Sequence, residues 1–286
     1  MTINNNILYE SDMTFDKNKP YDDLPLLPPR RDVETKLILK KTIKANKALV
    51  ELKSKGNIIP NQNILLDTLT LIEAKDSSEI ENIFTTHDQL YQISFLGEDK
   101  CDPATKEVSR YRHALWHGIK LLKQRPLSTN LFIELVQIIK ENNAHIRCTP
   151  GTKIANSSGK VIYTPPEGEN IIRTKLANLE QFIHKDDDID PLIKLAIIHY
   201  QFEAIHPFSD GNGRVGRIIN LLYLLEQGLL ETPVLFLSRY FIENRKGYYE
   251  GLKNITEKED WESWILYILD AVEHILQQSR SFGQTE

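Results

Sequence analysis

The sequence holds only two cysteines, Cys101 and Cys148, far apart and with no CxxC pair. That excludes a disulfide scaffold and a cysteine-rich zinc site. No apolar run approaches the ~20 residues that span a bilayer. The N-terminus, MTINNNILYESDMTFDKNKP, lacks the basic start and apolar stretch of a secretion signal. An excess of basic charge is missing too, since 35 Lys and Arg stand against 40 Asp and Glu, for a net charge of -5. This balance counts against nucleic acid as a partner held by bulk charge. The absences together predict no membrane partner and a cytoplasmic location. The 286 residues, 41% hydrophobic and 26% charged, suffice to bury a sizeable globular core.

Residues 1–31 are polar and proline-punctuated, which reads either as an extended arm lying on the body or as a partly disordered segment. From Asp32 the apolar spacing is helical, with Gly56 as a stop. Asn63 then reads as the cap of a second helix carrying Leu65, Leu66, Leu69 and Ile72 inward. AKDSSEIEN reads as a polar break, and a third helix runs from about Thr86 to Gly97. Asp102-Pro103 and Ser128 open two more helices. The section 146–172 differs in kind, because it is rich in Gly, Pro, Ser and Thr and sets KVIYT beside the turn signal NSSG. It predicts a small β-hairpin. Helical periodicity returns over 173–184, after Asp190-Pro191, over 212–227 with Gly228 as C′, and over 260–278. No internal repeat is visible. The expected fold is all-α with a single hairpin.

The segment richest in chemistry is His206-Pro207-Phe208-Ser209-Asp210-Gly211-Asn212-Gly213-Arg214-Val215-Gly216-Arg217. Pro207 disfavours helical geometry at His206, so the imidazole falls where the preceding helix ends. Gly211, Asn212 and Gly213 can expose successive backbone N–H groups that merge into the free amides of the next helix, an anion cradle. Arg214 and Arg217, one turn apart, add forked donors suited to phosphate. Asp210 offers a hard carboxylate oxygen of the kind that suits Mg²⁺ bridging phosphates. A base, a metal carboxylate, an anion cradle and two guanidiniums describe a phosphotransfer site. His199, Glu203 and His206 also recur at i, i+4 and i+7, a spacing zinc can use, but Pro207 ends the helix there and no neighbouring ligand completes the set.

This segment resembles the Fic family motif HPFxxGNGRxxR at every specified position. PATKEVSRYRHAL is similar to the family's early core helix, GKVIYTPPEGENI to its flap hairpin, and LSRYFIENRKGYYEGL to the helix after the motif. The resemblance implies a Fic-type helical bundle, with an N-terminal region over 1–100 and a core over 101–286. It also implies a protein adenylyltransferase, moving AMP from ATP to a Ser, Thr or Tyr hydroxyl of a target protein or of the chain itself. By position, His206 would be the general base and Asp210 would hold Mg²⁺ against the phosphates. Gly211, Asn212, Gly213 and Arg214 would neutralise developing charge, and Arg217 would contact the γ-phosphate. Tyr248 and Tyr249 match family tyrosines near the adenosine, with core packing as the plain alternative. Lys160, Val161, Ile162 and Tyr163 would align the target segment by strand pairing.

SSEIEN, read alone, is a helix-capping sequence. Its Ser77, Glu81 and Asn82 also fill the family's inhibitory motif, [S/T]xxxE[G/N]. The resemblance then implies that Glu81 pairs with Arg217 and takes the guanidinium the γ-phosphate needs, and it leaves removal of AMP open as a second activity. Relatives often carry a winged-helix domain after the core; the sequence ends soon after the last core helix, so none is expected. Two other readings stand beside this one, a catalytically idle binding protein of the same fold and transfer of a different phosphate-containing group. The oligomeric state, a homodimer included, is left open.

Overall fold

A computed structural model describes residues 15–56, 62–96, 101–156 and 158–282. Helices dominate. α1 spans Lys36–Gly56, α2 Gln62–Ile80, α3 His87–Leu96, α4 Pro103–Leu122 and α5 Thr129–Lys140. The strands β1 (Ile154–Ala155) and β2 (Val161–Tyr163) follow, and then α6 (Glu169–His184), α7 (Pro191–Ile205) and α8 (Asn212–Glu226). α9 (Ser238–Glu243), α10 (Arg245–Lys258) and α11 (Trp261–Phe282) complete the order.

Local signals start the helices that frame the site. Asp102 accepts the Thr105 N–H at 3.0 Å, Ser128 that of Leu131 at 3.4 Å and Asp190 that of Leu192 at 2.8 Å, with Pro103 and Pro191 in the first turn of their helices. The centre of the molecule is the α7–α8 pair. Every residue of α7 from Leu192 to Ile205 except Glu203 is buried, as is α8 from Arg214 to Leu224. A helix apolar on all sides must be enclosed, and α4, α5, α6 and α11 supply the cover. α2 lies across α4, α8 and α9. Residues 15–35 run over the body as an arm. Leu24 and Leu27 are buried, and Asn178 makes paired hydrogen bonds with the Leu27 backbone at 2.8 and 3.0 Å.

Several sequence expectations need correction. AKDSSEIEN is not a break, because α2 continues to Ile80. Ala74, Ser77 and Ser78 are fully buried, so close packing overrides the weak helix preference of serine. Asn63 lies inside α2 rather than capping it, and Gly97 lies outside the described residues. α6 starts at Glu169, since Gly168 at φ +90° ends the loop, so the hairpin region closes before 172. LSRYFIENRKGYYEGL forms two helices, parted at Asn244 with φ -118° and ψ 35°. The hairpin itself is present, with Ile154 opposite Tyr163 and Ala155 opposite Val161. Among the described residues no helix is long and apolar enough to cross a membrane.

Candidate active site

α7 ends at Ile205, and His206 takes the left-handed conformation at φ 49°, donating its N–H to Phe202 at 3.0 Å. That conformation is uncommon for a non-glycine residue, and two neighbours hold it. Arg147, itself buried, donates Nε to the His206 carbonyl at 2.7 Å and also reaches the carbonyls of Ile205 and Pro166. The Asn212 side chain then spans the loop, accepting from the Phe208 N–H at 2.8 Å and donating to the Phe208 carbonyl at 2.7 Å. The chain thereby doubles back into α8, which begins at Asn212. Burial, and then the charge of Arg147, push the His206 ring down to about 4. It is therefore neutral near pH 7, as a general base must be.

At the start of α8, Gly211 adopts φ +85°. Gly213 has no such backbone need. A Cβ placed there would lie 2.2 Å from Glu81 Oε1, so glycine is required for the close approach of that carboxylate to the helix terminus. Glu81 Oε1 also accepts from Arg217 Nη2 at 2.9 Å. Ser77, one turn earlier on α2, takes Arg217 twice, through its hydroxyl and its carbonyl, each at 2.7 Å. Burial works against the charge of Arg217, yet Glu81 keeps it above the ordinary guanidinium value. The carboxylate of Glu81, the residue after α2, thus lies against the first turn of α8, where the helix dipole favours an anion. Asn82, at φ 60°, receives Arg245 Nη2 at 3.3 Å, and Arg245 also binds the Ile80 carbonyl at 2.7 Å.

Asp210 and Arg214 meet in a second network. Glu107 of α4 accepts from Arg214 and from Lys140 of α5, both at 2.6 Å. Lys140 Nζ lies 2.6 Å from Asp210 Oδ2 as well, while Asp210 Oδ1 accepts the Gly211 N–H at 2.6 Å. Arg214 is 1% exposed against 63% for Asp210, so the first is a buried strut and the second faces outward. Although burial opposes it, Lys140 holds the Asp210 carboxyl below its usual range.

The remaining candidates separate. Tyr248 is buried among Phe241 and Trp264, and its hydroxyl meets His199 Nε2 at 2.9 Å. Tyr249 is 41% exposed, with the Arg245 guanidinium over its ring. In the hairpin, Tyr163 donates to the Ala204 carbonyl at 2.8 Å and stacks on Phe15, so its side chain anchors the flap to α7. Lys160 and Ile162 are exposed, Val161 is half-buried, and β2 pairs only with β1 among the described residues. His199, Glu203 and His206 do not converge on one point. Burial, followed by Arg217, pushes His199 down to about 3, and burial lifts Glu203 to about 8. No set of three or more metal-ligating side chains occurs among the described residues.

The Fic/DOC family pattern matches residues 126–224, and the Fic/DOC N-terminal pattern matches residues 39–120. The chain belongs to the Fic/DOC family. Over 88 residues it is 39% identical to the probable protein adenylyltransferase aq_aa38 of Aquifex aeolicus, covering 31% of this chain and 24% of that protein. Over 118 residues it is 28% identical to protein adenylyltransferase fic-1 of Caenorhabditis briggsae, covering 41% of this chain and 22% of the relative. The chain thus matches about a quarter of the length of these curated relatives. In fold it is similar to the crystal structure of a Fic family protein from Desulfovibrio desulfuricans, with a TM-score of 0.70 at 19% identity over 91% of this chain and 78% of that one.

In this Fic chain four residues packed around the motif escaped the sequence reading. Glu107, Lys140, Arg147 and Glu73 come from elements far from the motif, and no spacing connects them to it. Glu73 lies two turns before Glu81 on α2, accepts from Tyr111 at 2.9 Å and from Ser238 at 2.5 Å, and is lifted to about 7 by burial. A helical stripe through Glu73, Ser77 and Glu81 was the one available signal.

Proposed function

We propose that this chain is a protein adenylyltransferase held off by its own Glu81. The observation that carries the reading is His206 at the end of α7, six residues before α8 begins, with Arg217 of α8 bound by Glu81. In the reaction, a Ser, Thr or Tyr hydroxyl of the target gives its proton to His206. The oxygen forms a bond to the α-phosphorus of ATP as the bond to pyrophosphate breaks, and pyrophosphate leaves. The amides at Gly211, Asn212 and Gly213 face the charge that develops on the phosphate. Arg214, fixed by Glu107, supports that face, while Arg217 is the donor for the γ-phosphate. The exposed edge of β2 at Lys160, Val161 and Ile162 suits strand pairing with the target segment, and Tyr163 fixes the strand. Tyr249, at the surface beside Arg245, suits contact with the adenosine; Tyr248 supports it from the core.

Asp210 fits a magnesium ion that arrives with phosphates. It offers one outward carboxylate, and a metal of this kind draws its other ligands from water and phosphate oxygens. Bound there, the metal would supply charge neutralisation between the α- and β-phosphates. Ser77 and Asn82 complete the inhibitory arrangement, one by binding Arg217 directly and the other by tying the end of α2 to Arg245. The test is incorporation of label from α-labelled ATP with Mg²⁺ into the chain and candidate targets. Glu81→Gly should incorporate far more than wild type, and His206→Ala in that background should return it to baseline. Equal incorporation by all three would remove the enzymatic reading.

A further inference from the structure

Lys140 is the last residue of α5 and lies on no motif. Its stem runs beside Gly211, where an added Cβ would meet Lys140 Cγ and Cδ at 3.8 Å and Val136 at 3.2 Å. The ammonium ends between two carboxylates, 2.6 Å from Glu107 Oε1 and 2.6 Å from Asp210 Oδ2. The other oxygen of Asp210 accepts the Gly211 N–H, so Lys140 is bound to the oxygen a metal would use. A magnesium ion sits about 2.0–2.1 Å from its ligand oxygens. An ammonium already in contact with that oxygen would stand close to it, and two cations at such a distance repel strongly. Lys140 has a second seat, however. Glu107 stays within hydrogen-bond distance, so Lys140 can leave Asp210 without becoming an unpaired charge.

We propose that Lys140 is the resident cation of the Asp210 carboxylate, displaced onto Glu107 when a divalent metal enters with the nucleotide. The inference rests on the reading of Asp210 as the metal ligand. It makes Lys140 a positioning residue that sets how much metal the site demands. With the metal absent, Lys140 keeps Asp210 in place beside the cradle. With it present, Glu107 keeps Lys140 paired and away from Asp210, while it goes on fixing Arg214.

The experiment uses ADP as probe, which lacks the γ-phosphate and so does not compete with Glu81 for Arg217. ADP affinity is measured by calorimetry on the full chain in EDTA and in Mg²⁺, and the ratio of the two is the readout. Lys140→Gln and Lys140→Met should raise the Mg²⁺ enhancement about two- to fivefold, as a bare Asp210 accepts the metal without a competitor. Lys140→Arg, keeping the charge, should match wild type. An unchanged or smaller enhancement in both neutral variants overturns the inference. Asp210→Asn should abolish the enhancement. If it does so while the neutral Lys140 variants gain nothing, only the role of Lys140 falls. If the enhancement survives Asp210→Asn, the metal reading of Asp210 fails and this inference fails with it.

Discussion

Replacing Glu81 by glycine perturbs one contact and little else. Glu81 follows the last residue of α2 and precedes Asn82 in the left-handed conformation, a helix-end setting that glycine tolerates well. What is lost is the pair with Arg217, 2.9 Å between atoms, with Arg217 2% exposed and Glu81 38% exposed. Charges about 4 Å apart near a protein surface attract by about 4 kcal/mol. Water around the half-open carboxylate reduces this to about 2 kcal/mol. Arg217 keeps both bonds to Ser77, so it stays in place and gains a free direction toward the cradle. A shift of about 2 kcal/mol corresponds to roughly a thirtyfold rise in the fraction of chains able to take a γ-phosphate productively. The assay is the rate of AMP incorporation at saturating ATP, with Glu81→Gln, which keeps the shape and removes the charge, expected between glycine and wild type. A folded Glu81→Gly protein that binds ATP as wild type does and incorporates nothing would refute the reasoning.

Other outcomes follow from the same geometry. In the Glu81→Gly background, activity should hold nearly constant from pH 7 to 5.5, because burial keeps the His206 ring neutral down to about 4; an acid limb centred at the ordinary value near 6.5 would show the ring titrating as in water. The sign for stability agrees, since a histidine with a depressed folded pKa stabilises fully above 6.5 and loses that contribution as pH falls from there toward about 4. Arg147→Ala strips charged donors from buried carbonyls and should cost about 3 kcal/mol of stability while lowering incorporation; an unchanged melting temperature would contradict the role given to Arg147. For Glu203 the folded pKa is raised from 4.5 to about 8, so its neutral form is favoured in the fold and stability falls as pH rises through that window. Glu203→Gln should therefore gain on wild type in thermal melts at pH 9 more than at pH 6, and an equal difference at both would sink the assignment.

What the sequence made legible was local. Asp102, Ser128 and Asp190 announce helix starts because a cap needs only residues within one turn. Pro207 places His206 at a helix end for the same reason, and the hairpin follows from NSSG beside KVIYT. The end of α2 was not legible because Ser77 and Ser78 signal a cap by chemistry, whereas burial against α4, α8 and α9 decides their conformation. Likewise Glu107 and Lys140 reach Asp210 and Arg214 only through the packing of α4 and α5 on α8. Glu81 and Arg217, far apart in the sequence, also come within hydrogen-bond distance only through the packing of α2 on α8.

The way α2 is seated bears on how any signal could free Arg217. Ala74, Ser77 and Ser78 have no exposed surface, and Glu73 is bonded to Tyr111 on one side and Ser238 on the other. Peeling the whole helix away would open the protein's interior and break that buried anchor. The Glu81 side chain alone has room to turn outward. Turning that side chain away from Arg217 changes only a few torsion angles and leaves α2 seated.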